Sequence, residues 1–334
     1  MSLAVARQCP LAPHDRVLRA ALWRECSDIL CEALLPQTLM RDRNPMVAVS
    51  GAFDSAPSAQ VRGSLVCVGL GMTLGAHMTP RSRSYIEQAD VVFLAVSDAL
   101  VEIWVRQMHR DVRSLQAYYD EGKSRHLSYR QMVEAMLIEV RAGKRVCGAF
   151  YGHPGVFALA PHQAVAQARE EGFGATMEPG ISAEDCLYAD LGIDPGRFGC
   201  QHHEASQLMF YQRRLDPSAY LVLWQVGLAG DRSHQRFATG PAYLQLLVDL
   251  LAADYPRDHP VVIYEAATLA ISQPRIEHLA LKDLVRAALH MQSTLIIPPC
   301  QPLLPNLRMH EQLDALDRQS GVARGNPHHQ ENSA

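Results

Sequence analysis

Short apolar segments alternate with amphipathic segments from Gly63 to about Pro299. Helices are predicted at Pro161–Gly172, at Pro241–Tyr255 and after the tyrosine-rich stretch, where Ser128 and Gln131 have capping-box spacing. This alternation predicts an α/β fold. The predicted strands are Ser64–Val68, Val91–Val96, Arg145–Phe150, Tyr220–Val226, Val261–Tyr264 and Thr294–Ile297.

The two ends of the chain differ from this pattern. Residues 1–62 place apolar side chains near helical spacing between Val17 and Leu34 and then become small and polar. They predict an amphipathic helix and linker, or a misassigned start with Met46 as the first residue. The stretch from Arg197 to Arg214 is predicted to be irregular, and the polar residues 301–334 a disordered tail.

Composition excludes several classes of partner. A formal charge of −4 and the lack of any long basic run predict no nucleic-acid partner and no anionic membrane surface. No apolar stretch approaches the roughly 20 residues that span a bilayer, and no signal segment is present. The eight cysteines form no CxxC pair, which is typical of reduced, buried thiols and predicts a cytoplasmic protein.

The segment from Tyr118 to Tyr129 places three phenols around one guanidinium. A guanidinium in a water-poor site favours the phenolate form of a neighbouring tyrosine. The segment is therefore a candidate site for deprotonating a very weak acid, and the alternative is a solvent-facing loop with core tyrosines. The phenols are Tyr118, Tyr119 and Tyr129, and the guanidinium is Arg125.

Rigid turns follow several predicted strands. Glycines at Val68–Gly71 permit close backbone approach, but the GxGxxG spacing of dinucleotide sites is missing. In the loop Tyr151–Phe157, His153 is either a structural hydrogen-bonding group or a base, and no metal site is predicted because histidines lack partner ligands. Ser182 is predicted to cap a helix. The polar residues Gln225, Ser293 and Thr294 lie at strand ends, where they bind a ligand or satisfy the backbone.

Taken together, these segments resemble the tetrapyrrole-methylase superfamily, which uses S-adenosyl-L-methionine (SAM), and within it the borosin peptide α-N-methyltransferases. Porphyrin-type members carry Gly-Asp-Pro where Tyr151–Pro154 reads Tyr-Gly-His-Pro, as in the peptide enzymes, so the resemblance favours a peptide substrate. The segments that carry it are Ser84–Glu87, Tyr118–Arg125, Tyr129–Met132, Tyr151–Phe157, Pro179–Cys186, Ala189–Pro195, Glu204–Ser206 and Ile296–Pro299.

The resemblance implies two α/β subdomains, about 63–179 and 180–300, with SAM between them and S-adenosyl-L-homocysteine as its product. It also implies a homodimer. Gln116 departs from members that have a further tyrosine at that position. The catalytic residues implied are Tyr119, Arg125 and Tyr129. The implied cofactor-binding residues are Tyr151, His153, Val156, Phe157, Ser182, Ala183, Gln225, Ala266, Ser293 and Thr294.

The expected function is SAM-dependent N-methylation of backbone amides in a ribosomally made precursor peptide. Only about 35 mostly polar residues follow Pro299, so the precursor is expected to be a separate chain. One alternative is SAM-dependent C-methylation of a porphyrin or corrin precursor. A second alternative is a catalytically idle peptide-binding protein that uses residues 1–62 as a docking arm.

Overall fold

The computed structural model describes residues 63–96, 98–120 and 122–320. The helix and linker predicted for residues 1–62 therefore lie outside the described residues, as do residues 321–334. Within the described ranges, strands alternate with helices, and the predicted α/β class is confirmed.

The first sheet is fully parallel, with strand order β3-β2-β4-β1-β5. Its strands are buried because helices cover both faces, as parallel sheets require. Side chains alternate between two cores, so that Leu65 and Cys67 face one while Val66 and Val68 pack against the other. The strands are β1 Ser64–Gly69, β2 Val91–Ala95, β3 Val112–Ser114, β4 Arg145–Phe150 and β5 Gly174–Met177.

Two helices lie on each face of this sheet. Helices α1 (Pro80–Gln88) and α2 (Ala99–Met108) bury Ile86 and Val105 against one face. Helices α3 (Arg125–Arg141) and α4 (Leu159–Glu170) cover the other face. The prediction of Ser128 as a helix cap was wrong: Ser124 is the N-cap, and the Ser128 hydroxyl, inside α3, donates to the Tyr118 carbonyl at 2.8 Å.

The second sheet is mixed, with strand order β6-β7-β10-β8-β9. Strands β6 and β7 pair in parallel, whereas β10 runs antiparallel to both β7 and β8. The strands are β6 Cys200–Glu204, β7 Tyr220–Trp224, β8 Pro260–Glu265, β9 Arg275–Ala280 and β10 Thr294–Ile297. The accompanying helices are α5 Ala183–Leu191, α6 Pro195–Phe198, α7 Ala205–Phe210 and α8 Pro241–Leu251.

Two predictions about irregular structure were wrong. The stretch from Arg197 to Arg214 contains β6 and α7. Strand β6 was not predicted because it is a half-buried edge strand whose sequence, Cys-Gln-His-His-Glu, has no apolar alternation. The tail predicted to be disordered from residue 301 contains helix α9 (Leu307–Ser320). None of the helices in the described ranges has the combination of length and apolar character that a bilayer crossing needs.

Candidate active site

Glycines bring the loops after β1, β4 and β5 into direct backbone contact. A Cβ atom on Gly69 would lie 2.4 Å from the Gly152 carbonyl oxygen and 2.7 Å from the Gly180 Cα. Gly71 has a positive φ of 75°. Its amide donates to the Gly152 carbonyl at 3.1 Å, and its carbonyl accepts a hydrogen bond from the Gly152 amide at 3.0 Å. Side chains are thus excluded at the carboxyl ends of these strands, and main-chain groups line this edge of the sheet.

The loop from Tyr151 to Phe157 presents aromatic surface at this edge. Tyr151 is 46% exposed and Phe157 is 50% exposed. Phe157 has a positive φ of 49°, which is unfavourable for a bulky side chain, and its ring packs 5.2 Å from the ring of Trp224 at the end of β7. The His153 Nδ1 accepts the Gly155 amide at 2.8 Å, so this imidazole closes its own turn, while Val156 continues the turn beside it.

The amino terminus of α5 lies next to this loop. Ser182 is its N-cap: the hydroxyl accepts the Asp185 amide, and Asp185 accepts the Ser182 amide at 2.7 Å, a complete capping box. The predicted cap at Ser182 is confirmed. Ala183, the first residue of α5, packs with Ala266 against the apolar cluster around Trp224.

The remaining predicted cofactor residues form a row on the second sheet. Because β10 is antiparallel to β7 and β8, its start lies at the edge where those strands end. The Val226 amide, next to Gln225, donates to the Ser293 carbonyl at 3.0 Å, and the buried Ser293 hydroxyl donates to Glu265 at 2.6 Å. Gln225 has a left-handed φ of 55°. Thr294 pairs with Tyr264, and Ala266 follows directly after β8.

Loop-to-loop hydrogen bonds connect the two groups of predicted cofactor residues. The Leu74 amide donates to the Thr268 carbonyl at 2.9 Å, and the Thr73 hydroxyl to the Ala267 carbonyl at 3.2 Å. The loop after β1 therefore contacts the loop after β8. Together with the contact between Phe157 and Trp224, these bonds join the carboxyl edges of the two sheets into one cleft.

The tyrosine segment packs on the core of the first sheet. The rings of Tyr119 and Tyr129 meet edge to face, with centroids 6.3 Å apart and an interplanar angle of 88°. The Tyr118 carbonyl accepts hydrogen bonds from Lys123 and Ser128, which fix the turn before α3. Gln116 donates its side-chain amide to the Val96 carbonyl at 2.7 Å and so holds the end of β2.

Arg125 is held by the loop that follows β7. Its guanidinium Nη2 lies 3.3 Å from Asp231 Oδ2, and the two side chains are only 17% and 2% exposed. Its backbone amide donates to the His234 carbonyl at 3.1 Å. Although burial acts to raise the pKa of Asp231, hydrogen bonds from the Ser233 hydroxyl and amide, and the charge of Arg125, lower it overall. Arg125 thus has a fully ionised partner at neutral pH.

The electrostatic surroundings of Tyr119 differ from the expectation of a phenolate. Burial and the neighbouring Tyr129 raise the pKa of Tyr119 well above its usual range, and Arg125 only partly opposes this. Tyr119 therefore keeps its proton at neutral pH. Burial also raises the pKa of Glu204, opposed by Arg125 and His234. Within the described ranges, the Glu204 carboxylate has no hydrogen-bond partner.

Three residues at this site were not predicted as site residues, although Glu204 lies in one of the segments that carry the resemblance. Glu204 ends β6 and pairs in register with Trp224, so it lies between the tyrosine cluster and the aromatic loop. Asp231 is 106 residues from Arg125, and its only local signal is the Asp-x-Ser spacing with Ser233, which is typical of an Asx turn. Nothing in an apolar strand end distinguishes Trp224 as a site residue.

Comparison with known proteins gives consistent results. The profile of the tetrapyrrole (corrin/porphyrin) methylases matches residues 64–284. A methyltransferase/ribosomally synthesized type I borosin cyclic peptide precursor from Mycena rosella is 42% identical over 245 residues, 72% of this chain and 61% of that protein. The methyltransferase/omphalotin A precursor of Omphalotus olearius is 40% identical over 258 residues, 76% of this chain and 62% of that protein. The chain spans about three-fifths of the length of these curated relatives.

Solved structures share the fold at low sequence identity. Uroporphyrin-III-C-methyltransferase from Thermus thermophilus has a TM-score of 0.51 and 19% identity, covering 71% of this chain and 93% of that chain. A cobalt precorrin-4 methyltransferase has a TM-score of 0.52 and 18% identity, covering 70% of this chain and 94% of that chain.

Proposed function

Because the chain belongs to the tetrapyrrole (corrin/porphyrin) methylase family, we propose that it is a SAM-dependent methyltransferase that N-methylates backbone amides of a ribosomally made precursor peptide. The observation that carries this proposal is the tyrosine and arginine cluster beside the cleft, with Arg125 fixed by the buried Asp231. The relatives at 40% identity or more, whose names join a methyltransferase to a ribosomally synthesized cyclic peptide precursor, support the peptide substrate.

The residues at the joined sheet edges fit SAM, and we assign the cofactor to them. Half-exposed rings of Tyr151 and Phe157 suit a flat heteroaromatic base, and the glycine contact leaves backbone amides and carbonyls free of side chains. When bound, SAM supplies an electrophilic methyl group and leaves as S-adenosyl-L-homocysteine. The residues assigned are Tyr151, His153, Val156, Phe157, Ser182, Ala183, Gln225, Ala266, Ser293 and Thr294, between subdomains 63–179 and 180–300.

The substrate amide must be activated before it can accept a methyl group. Its nitrogen lone pair is delocalised into the carbonyl, so the reactive form is the deprotonated imidate. We assign proton removal to Tyr129 as general base: its phenolate form accepts the amide proton and becomes the phenol. Tyr119, whose pKa is raised by burial, stays protonated as a hydrogen-bond donor. Tyr119 then donates a hydrogen bond to the amide oxygen, and Arg125 stabilises the negative charge that develops there. Asp231 holds Arg125 in place for this role.

The precursor is proposed to be a separate chain. This departs from the named relatives, which join enzyme and precursor in one protein. Among the described residues after the second sheet, 307–320 form α9, a helix with five charged side chains, which supports a role other than an extended methyl-accepting segment for those residues.

We also propose a cytoplasmic homodimer. Apolar side chains of α9 (Met309, Leu313 and Leu316) and of α8 (Leu246 and Leu250) are between 43% and 60% exposed, which supports a further interface. The cysteines of the described ranges are all free, as is usual for a reducing compartment. Light scattering at working concentration tests the dimer; a monomer would contradict it.

A direct experiment tests the activity. The purified chain is incubated with SAM, alone and with candidate precursor peptides encoded beside its gene, and all components are weighed by mass spectrometry. We expect the separate peptide to gain mass in steps of one CH₂ unit. Mass gain on the enzyme chain itself would refute the separate precursor. Methylation of a porphyrin or corrin precursor instead would favour the C-methylase alternative. Failure to bind SAM by calorimetry would favour an idle peptide-binding protein.

A further inference from the structure

The loop from Asp231 to Thr239 carries basic side chains beside the catalytic cluster. Glycines with positive φ, Gly230 (79°) and Gly240 (85°), bound the loop. Its His234 stacks edge to face on His126 at 4.7 Å, and its carbonyl accepts the Arg125 amide at 3.1 Å. We call the surface formed by His126, Arg130, Arg232, His234 and Arg236 the basic rim.

Helical geometry places Arg130 on the same side of α3 as His126. Residues four apart lie on one face of a helix, so Arg130 is one turn beyond the ring that contacts His234. Tyr129, by the same spacing, is on the face of Arg125. The basic rim therefore runs alongside the catalytic residues.

Among the described residues, the arginine side chains of the basic rim have no carboxylate partner, whereas several other arginines of the chain do. Arg113, Arg141 and Arg145 each lie within 2.9 Å of a carboxylate. The side chains of Arg130 and Arg232 are exposed, and neither has a hydrogen-bond or ion-pair partner among residues 63–96, 98–120 and 122–320.

Arg236, the third arginine of the basic rim, is pre-oriented by an aromatic ring. Its guanidinium lies 5.2 Å from the ring centroid of Tyr243 and donates to the Tyr243 hydroxyl at 2.8 Å. Within the described part of the chain, no carboxylate contacts the Arg236 side chain. This stacking reduces the side-chain entropy that Arg236 would lose on binding a ligand.

Of the nearby carboxylates, Glu204 interacts electrostatically with His234 of the basic rim, and two others are engaged by other side chains. Asp231 is 3% exposed and is bound by Arg125 and Ser233. Glu134, one turn beyond Arg130, lies 2.6 Å from Arg141. The basic rim is thus a local excess of positive charge on a chain whose formal net charge is −4.

We propose that the basic rim binds an acidic segment of the substrate peptide and holds the adjoining residues against Arg125 and Tyr129. This inference rests on the proposed function and names the chemistry of its substrate. Guanidinium groups bind carboxylates through paired hydrogen bonds, and the 49% exposed ring of Phe237 adds an apolar contact within the same loop. Opposite charge across such an interface speeds encounter and sets the register of the bound chain.

The test measures binding of fluorescein-labelled peptides by anisotropy, with S-adenosyl-L-homocysteine present so that no turnover occurs. Three peptides of equal length share a Val- and Gly-rich segment and are flanked by four Glu, four Gln or four Lys residues. The variant is R130E/R232E, and the control is R110E. The Arg110 side chain is also exposed and unpaired within the described ranges, but it precedes β3 and so lies at the amino ends of the strands, away from the cleft.

We expect the wild type and R110E to bind the Glu peptide about tenfold more tightly than the Gln peptide. The difference should disappear in R130E/R232E and near 0.5 M NaCl, at roughly a 4 Å screening length, and the double variant should prefer the Lys peptide. Equal affinity for Glu and Gln peptides in the wild type would overturn the inference. The inference would also be overturned if uroporphyrin, a small polycarboxylate, bound to the wild type but not to R130E/R232E while the Glu peptide did not bind.

Failure of this inference is distinguishable from failure of the proposed function. Methylation of a precursor that proceeds equally in wild type and R130E/R232E at limiting peptide would overturn the basic rim as a docking site and leave the methyltransferase in place. Absence of SAM binding by calorimetry, with charge-dependent peptide binding retained, would overturn the methyltransferase and leave the acidic-peptide site in place.

Discussion

Replacing Asp231 with asparagine tests how Arg125 is positioned. The substitution keeps the shape of the side chain and an oxygen to accept the Ser233 bonds, but removes the charge that faces Arg125. At the observed 3.3 Å, two unit charges interact by about 5 kcal/mol at an effective dielectric constant of about 20. Breaking one side of a buried ion pair costs about 3–5 kcal/mol in practice, so the effect should be large.

We expect Asp231→Asn to lower kcat for peptide methylation about 100-fold, equivalent to about 2.7 kcal/mol in the transition state. SAM affinity should change less than about twofold, because Asp231 contacts none of the assigned cofactor residues. The free energy of unfolding should fall by about 2–3 kcal/mol. Single-turnover mass spectrometry, calorimetry with SAM and urea denaturation measure the three quantities.

The matched control is Asp249→Asn, which removes an exposed ion pair with Arg257 and should leave both stability and kcat nearly unchanged. The stability difference should also depend on pH. The pKa of Asp231 lies below its ordinary value of 3.8, so its contribution is present above that pH and is lost as the pH falls through the folded-state pKa. Wild-type kcat in Asp231→Asn would refute the positioning of Arg125 by this carboxylate.

Two further substitutions probe the cleft. Glu204→Gln should raise Tm at pH 7 by about 2 °C. The folded-state pKa of Glu204 is raised, so the charged carboxylate becomes increasingly unfavourable to folding as the pH rises above its ordinary pKa of 4.5. A Tm advantage of the variant that disappeared at pH 7, rather than below pH 4.5, would contradict this. Gly69→Ala should lower the free energy of unfolding by about 3 kcal/mol or more, because the new Cβ would lie 2.4 Å from the Gly152 oxygen. It should also weaken SAM binding measured by calorimetry. An unchanged free energy of unfolding would contradict the backbone contact.

Strand and turn signals accounted for the parts of the fold that are locally encoded. The six predicted strands are all present because each is a run of buried apolar residues. The four missed strands lack that signal: β3 and β5 have only three and four residues, and β6 and β9 are polar and half-buried or exposed. Their pairing is decided by neighbouring strands rather than by their own composition.

The candidate site was predictable only where it depends on local turns. The glycine turn after β1, the loop after β4 and the cap at Ser182 lie at strand ends, where turn chemistry is visible in the sequence. The pairing of Arg125 with Asp231 joins residues 106 positions apart, and the raised pKa of Tyr119 results from burial. Neither could be inferred before the chain was folded.

Comparing Tyr129→Phe and Arg125→Ala with the wild type in one assay tests most directly whether this cluster is the catalytic centre. Each protein is incubated with SAM and a candidate precursor, methyl incorporation is counted by mass spectrometry, and SAM affinity is measured by calorimetry. We expect both variants to bind SAM with an affinity within about threefold of the wild type and to lose at least about 100-fold in methylation rate. Wild-type methylation rates in both variants would contradict the assignment of this cluster as the catalytic centre.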